Sequence, residues 1–180
     1  MNYNKAVYNV ISTFKNKYSL NVVNKLANID DYNIIINNRY LGNINKSNDI
    51  EFLKNNNIQA IINCTENEPF SDYFDDKLKL RIPVNDSKDE YNIDNFKSFI
   101  IESVRFINYC LNNDKRIYIH CYWGLMRSAT VVACYLVKKY NLAPNDAIQI
   151  IKEKRPRALP SLYNFNDIII DIYENKNFTL

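Results

Sequence analysis

The stretch His120-Cys-Tyr-Trp-Gly-Leu-Met-Arg-Ser128 holds the residue types needed for a nucleophile inside an anion-binding site. It follows an apolar run, Arg116 to His120, that reads as a strand. It precedes a periodic segment, Ser128 to Lys139, that reads as a helix. A loop that leaves a strand and opens a helix aims backbone N–H groups at one spot, and the helix dipole adds positive potential there. Gly124, in mid-loop, lets the backbone curl around an oxyanion without a Cβ in the way. Arg127 offers a planar fork matched to two phosphate oxygens. In such a field the thiolate of Cys121 is favoured. Ser128 can donate its hydroxyl to that sulfur as it forms and as it leaves. His120, the single histidine of the chain, can orient the loop or support the thiolate. Tyr122, Trp123, Leu125 and Met126 complete the loop. Free cysteines are usually plain core residues; that blander account leaves the spacing of His120, Gly124, Arg127 and Ser128 around Cys121 to coincidence.

The elements that must position this loop are legible as patterns. Val7, Val10, Ile11, Phe14, Val22, Val23 and Leu26 recur at helical spacing and predict one or two amphipathic helices over residues 4–26. Ile34 to Ile36 predicts a buried strand, and Arg39 to Leu41 a short partner ending at Gly42. Ser47 is a candidate cap for a helix through Ile50, Phe52 and Leu53. Strands are expected at Ile58 to Asn63 and at Leu78 to Ile82. Ile93, Phe96, Ile100, Val104, Ile107 and Leu111 step along a long helix. Further helices are expected at Pro144 to Lys154 and Tyr163 to Glu174, with Asn141 as a stop before Pro144. Strands alternating with helices predict an α/β fold, a mostly parallel sheet of about five strands covered on both faces.

The 180 residues suit one domain, and a 47% hydrophobic content can fill its core. A net charge of +3 falls well short of a dedicated nucleic-acid binder, so no nucleic-acid partner is expected. No run approaches the ~18 apolar residues of a membrane span, and the N-terminus lacks the apolar core of a signal peptide. A cytoplasmic protein is the expectation. Cys64, Cys110, Cys121 and Cys134 include no C-x-x-C pair, which argues against a disulfide framework; with one histidine, zinc is disfavoured. No metal and no cofactor are called for.

His120-Cys121, five residues, then Arg127-Ser128 resembles the His-Cys-x5-Arg-Ser/Thr signature of the protein tyrosine phosphatase superfamily, and the following Ala129-Thr130 resembles its dual-specificity branch. Ile82-Pro-Val-Asn-Asp86 is similar to the segment supplying the general acid in that branch, which gives Asp86 the role. Asp89 and Asp94 are neighbouring rivals. Tyr40-Leu-Gly-Asn43, Ile62-Asn-Cys-Thr65 and Arg155-Pro-Arg157 with Pro160 and Phe165 extend the likeness over about 34–173. The resemblance implies a catalytic domain at 29–180 behind a helical extension at 1–28, similar to that of poxvirus-type members, through which a homodimer can form. It implies hydrolysis of phosphotyrosine, phosphoserine and phosphothreonine in phosphoproteins through a phosphocysteine, with phosphate, vanadate or sulfate as site anions.

The aromatic pair Tyr122 and Trp123 can either flank the phosphorylated side chain or pack against the sheet. Trp123 and Met126 stand where the family commonly has small residues, and are expected to reshape the pocket rim or slow turnover. On their account a phosphoprotein-binding module without turnover is the alternative. An RNA 5′-phosphatase ranks lower, since its His-Thr-His-Gly-x-Asn-Arg-Thr-Gly loop is lacking. A phosphoinositide phosphatase would want lysines in the loop. Arg155 and Arg157 are expected to finish a helix and pair with carboxylates, or to draw acidic phosphopeptides to the mouth. Cys64 ends a strand at the same sheet edge as Cys121, and a reversible disulfide between them is an expectation under oxidants.

Overall fold

The computed structural model describes residues 30–36, 38–74, 78–87, 89–160 and 165–180. The expected N-terminal helices, the extension at 1–28 and any dimer contact through it lie outside the described residues. The described elements, in order, are β1 (Tyr32–Ile36), β2 (Arg39–Gly42), α1 (Ile44–Ser47), α2 (Ile50–Asn55), β3 (Ile58–Asn63) and β4 (Lys79–Arg81). Then come α3 (Glu90–Asn112), β5 (Arg116–His120), α4 (Arg127–Tyr140), α5 (Pro144–Lys154) and α6 (Asn166–Glu174).

The sheet runs β1-β2-β5-β3-β4. β1 and β2 form an antiparallel hairpin, with Asn38 at φ 66° in the tight connection. Asn tolerates that left-handed region better than a branched residue does. The other three pairings are parallel, so the sheet is mostly parallel, as its alternating pattern implies. β5 is central, and its pleat sorts side chains by face: Ile117 and Ile119 enter the larger core, Tyr118 the smaller. The larger core lies under α3–α6. α4 is buried along most of its length, from Arg127 to Val137, and packs on α3, α5 and α6. On the other face, Phe52 and Leu53 of α2 meet Tyr40, Ile58, Ile61 and Tyr118, with Phe52 and Tyr118 edge to face at 5.7 Å.

Helix ends follow local chemistry. Asn141 adopts φ 52°, ψ 38° and stops α4, and Pro144 begins α5 at the position where a missing N–H costs nothing. The cap expected from Ser47 is made by Asp49, whose Oδ1 accepts from Phe52 N at 2.9 Å. Ser47 instead closes the short α1 and donates to the Ile44 carbonyl at 2.8 Å. Among the described residues no helix is long and apolar enough to cross a membrane.

Candidate active site

β2 and β3 flank β5 so that Gly42 and Asn63 both register with His120. The chain leaving His120 therefore starts at the carboxyl edge of the sheet, between two parallel neighbours, where ligands of open α/β sheets bind. His120 is fully buried, its ring stacked on Tyr118 at 5.8 Å. Burial pushes its pKa down to about 3; the adjacent Cys121 main chain opposes this, and Arg127 and Arg81 add to it. The ring is therefore uncharged at neutral pH and gives the sulfur no support as a cation.

Cys121 sits beneath the loop, 1% exposed. Its Sγ accepts from the Gly124 N–H at 3.2 Å and from the Ser128 hydroxyl at 3.3 Å. Gly124 has φ +70°, and a Cβ there would overlap the main chain of Gly42. No other residue fits that turn without strain. α4 begins at Arg127 with Met126 at its N-cap, and no side chain caps that end. Its first N–H groups are thus not consumed by a capping side chain.

Arg127 is 5% exposed. Its Nη1 donates to the Val84 carbonyl at 2.9 Å, and its Nη2 to Asp86 Oδ2 at 2.9 Å. Nε lies 2.7 Å from Asp86 Oδ1, a close ionic contact without hydrogen-bond alignment. Burial works against the guanidinium charge, but Asp86 and Cys121 outweigh it and raise the Arg127 pKa. Of the three nearby aspartates, then, Asp86 is the one against Arg127. Asp89 caps α3 through Asn92 N at 2.9 Å, and Asp94 is exposed on that helix. The Asp86 segment is held by α3: Asn92 exchanges bonds with Asn85, accepting from its N and donating to its O, each at 2.9 Å, and Asn95 donates to the Pro83 carbonyl at 3.2 Å.

A cleft of about 170 Å³ reaches Arg127 between Thr65, Glu66, Glu68, Asn85 and Tyr122. One wall is preorganised, because Arg81 donates to the carbonyls of Thr65, Glu66 and Glu68 at 2.9, 3.1 and 2.8 Å. Cys64 follows β3 and donates its N–H to the His120 carbonyl at 2.8 Å, directly beside Cys121. Both are free thiols. Burial, then the charge at Cys121, pushes the Cys64 pKa well up, which keeps it a poor nucleophile.

Two readings of the loop change. Trp123 and Met126, expected at the rim, are 6% and 4% exposed and belong to the larger core; Tyr122 alone of the aromatic pair faces the cleft. Arg155 ends α5 as expected, but it neither pairs with carboxylates nor reaches the mouth. It is 2% exposed, and it donates to the carbonyls of Gly124 at 2.7 Å and Trp123 at 3.1 Å and to Asn33 Oδ1 at 2.6 Å.

Residues 39–175 match the model of a family described as dual specificity phosphatase, catalytic domain. Among curated proteins, dual specificity protein phosphatase 16 of Homo sapiens is 32% identical over 142 residues, 79% of this chain and 20% of that protein. Dual specificity protein phosphatase 6 of Homo sapiens is 33% identical over 134 residues, 73% of this chain and 34% of that protein. The chain thus spans from about a fifth to about a third of the length of these relatives. The crystal structure of DUSP15 superposes with a TM-score of 0.69 at 27% identity, covering 80% of this chain and 88% of that one. Human DUSP28 superposes with a TM-score of 0.71 at 19% identity, covering 83% and 97%, a likeness of fold alone.

Proposed function

Since the chain belongs to the dual specificity phosphatase family through a match spanning most of its length, we propose that it hydrolyses phosphotyrosine, phosphoserine and phosphothreonine in phosphoproteins. The observation carrying this reading is the Cys121 sulfur, held between an inward N–H of Gly124 and the Ser128 hydroxyl at the start of α4, with the Arg127–Asp86 pair at the entrance. The substrate phosphoryl group competes with the Asp86 carboxylate for the edge of Arg127. Exchange of one for the other places phosphate in the loop and releases the carboxylate, which takes the proton of the bound phosphate monoester monoanion and so becomes the acid for the leaving oxygen.

The Cys121 thiolate then attacks phosphorus in line. An S–P bond forms while the P–O bond breaks, and Asp86 delivers its proton to the departing side-chain oxygen. Arg127 and the loop amides carry the charge on the equatorial oxygens. Water next attacks phosphorus and gives its proton to Asp86; the S–P bond breaks, Ser128 donates to the returning thiolate, and inorganic phosphate leaves. Phosphate, vanadate and sulfate are the anions expected to compete. A reducing compartment such as the cytoplasm suits a nucleophile with Cys64 beside it.

Hydrolysis of p-nitrophenyl phosphate and of a phosphopeptide panel tests the proposal. The wild type is expected to turn over both and to be blocked by vanadate. Cys121→Ser abolishes turnover, and Asp86→Asn lowers kcat by roughly 10²–10⁴-fold. A folded wild type that binds phosphopeptides without cleaving them would install the binding-module reading instead. The burial of Trp123 and Met126 leaves that alternative without its original support.

A further inference from the structure

We propose that Arg155 is a positioning residue of the cysteine loop, turning two of its peptide planes so that their N–H groups face the phosphoryl site. The inference rests on the phosphatase reading and adds a residue to it.

Tyr122 O accepts from Ile44 N at 3.2 Å, and Leu125 O accepts from Leu159 N at 2.8 Å. Between them, Trp123 O and Gly124 O accept from Nη2 and Nε of Arg155 at 3.1 and 2.7 Å. Four successive carbonyls are thus tied to donors outside the loop. In a trans peptide the C=O and the next N–H point in opposite directions. Each carbonyl drawn outward therefore turns the N–H of Trp123, Gly124, Leu125 or Met126 the other way. The one such amide with a bond inside the loop obeys this: Gly124 N–H points at Cys121 Sγ, 3.2 Å away. Two of the four ties come from main-chain donors, and the other two come from one side chain.

The residue type fits the task. Two consecutive carbonyls need two donors in fixed geometry, which a guanidinium fork supplies and a single ammonium does not. The third edge of the fork is held by Asn33 of β1, at 2.6 Å from Nη1. The guanidinium is buried behind the loop and hydrogen-bonded there to neutral acceptors. Its charge interacts with Cys121, so it adds to the positive field on the sulfur as well as orienting the amides.

Arg155→Met, Arg155→Lys and Asn33→Ala separate this role from bulk stability. The readouts are the pH dependence of Cys121 alkylation by iodoacetamide, vanadate affinity by calorimetry, kcat/KM on p-nitrophenyl phosphate, and thermal melting. Arg155→Met is expected to move the alkylation midpoint upward in pH and to weaken vanadate binding and kcat/KM by roughly 10–100-fold, the usual scale for losing an orienting partner. Arg155→Lys keeps the charge and one tie, so it should recover part of each. Asn33→Ala should shift both in the same direction by less. If Arg155→Met does not fold, the other two variants decide. Folded variants with the wild-type alkylation midpoint and vanadate affinity overturn the proposal. A wild type that binds no vanadate counts against the phosphatase reading itself, whereas equal binding by wild type and variants removes only Arg155.

Discussion

At the scale of single residues, His120 couples the site to acid stability. Its folded-state pKa is about 3 against an ordinary 6.5, because burial penalises the charged ring. Between those values the unfolded chain holds a proton that the native protein refuses. Stability is therefore full above about pH 6.5 and falls with pH, by up to about 1.4 kcal/mol per unit until the ring protonates near pH 3. Urea unfolding at pH 7 and pH 5 should show the wild type losing about 2 kcal/mol more than His120→Gln between the two conditions. The variant can be less stable at both; the difference in pH dependence is the quantity read. Equal losses would mean that the ring is solvated or charged in the native protein. The same neutrality bears on catalysis: with His120 uncharged, the positive field on Cys121 is left to Arg127, Arg155 and the loop amides.

At the scale of elements, the site is a meeting of strand ends, and the two glycines of the chain lie at that junction. Gly124 in the loop rests on the main chain of Gly42 at the end of β2, and Gly42 in turn admits Tyr118 from β5. Gly124→Ala must take φ +70° and push against backbone that cannot rotate away. The conformation alone costs about 1–3 kcal/mol, so a lowered melting temperature together with lost vanadate binding is expected. A variant that melts and binds like wild type would mean that the loop and β2 are not in contact. This contact was half legible in the sequence. The scarcity of glycine made Gly124 conspicuous, and Cys121, Arg127 and Ser128 stand out because they are contiguous and share one loop. Strand β3, strand β5 and helix α5 could be read off for the same local reason, their periodicity and caps lying within the segment. Asp86 was legible only through family resemblance, since its partner Arg127 lies 41 residues away. Arg155 was misread because two of its three acceptors are main-chain carbonyls 31 and 32 residues back, which carry no side-chain signature, and the third, Asn33, lies 122 residues away. Met126 was misplaced at the rim, and Trp123 was left open between rim and sheet, because a loop has no period from which to assign a face.

At the scale of the whole molecule, the net charge of +3 suggests a preference for acidic partners, and the distribution of charge argues the reverse at the mouth. The cleft that reaches Arg127 is bordered by Glu66 and Glu68. A wider neighbouring cleft of about 570 Å³ shares Glu68 and Tyr122 with it and adds Asp31, Asp49 and Lys46, the last paired with Asp49 at 2.6 Å. Arg81 fixes the loop carrying Glu66 and Glu68 through its carbonyls. Of the two arginines that could make the entrance basic, Arg155 and Arg157, the first is buried behind the loop. Since exposed charges act over about 8 Å at physiological salt, nearby carboxylates outweigh distant lysines for a bound peptide. Phosphopeptides with Lys or Arg flanking the phosphorylated residue should therefore have a higher kcat/KM than those with Glu or Asp. Each rim charge contributes roughly 0.2–1 kcal/mol, a factor of up to about five. The preference should appear mainly in KM, shrink at high salt and reverse in Glu68→Lys, while p-nitrophenyl phosphate, which carries no flanking charge, should be affected least. Peptides with acidic flanks cleaved better by the wild type, with the same order in Glu68→Lys, would show that recognition lies away from the 65–68 loop and that the overall positive charge steers the substrate after all.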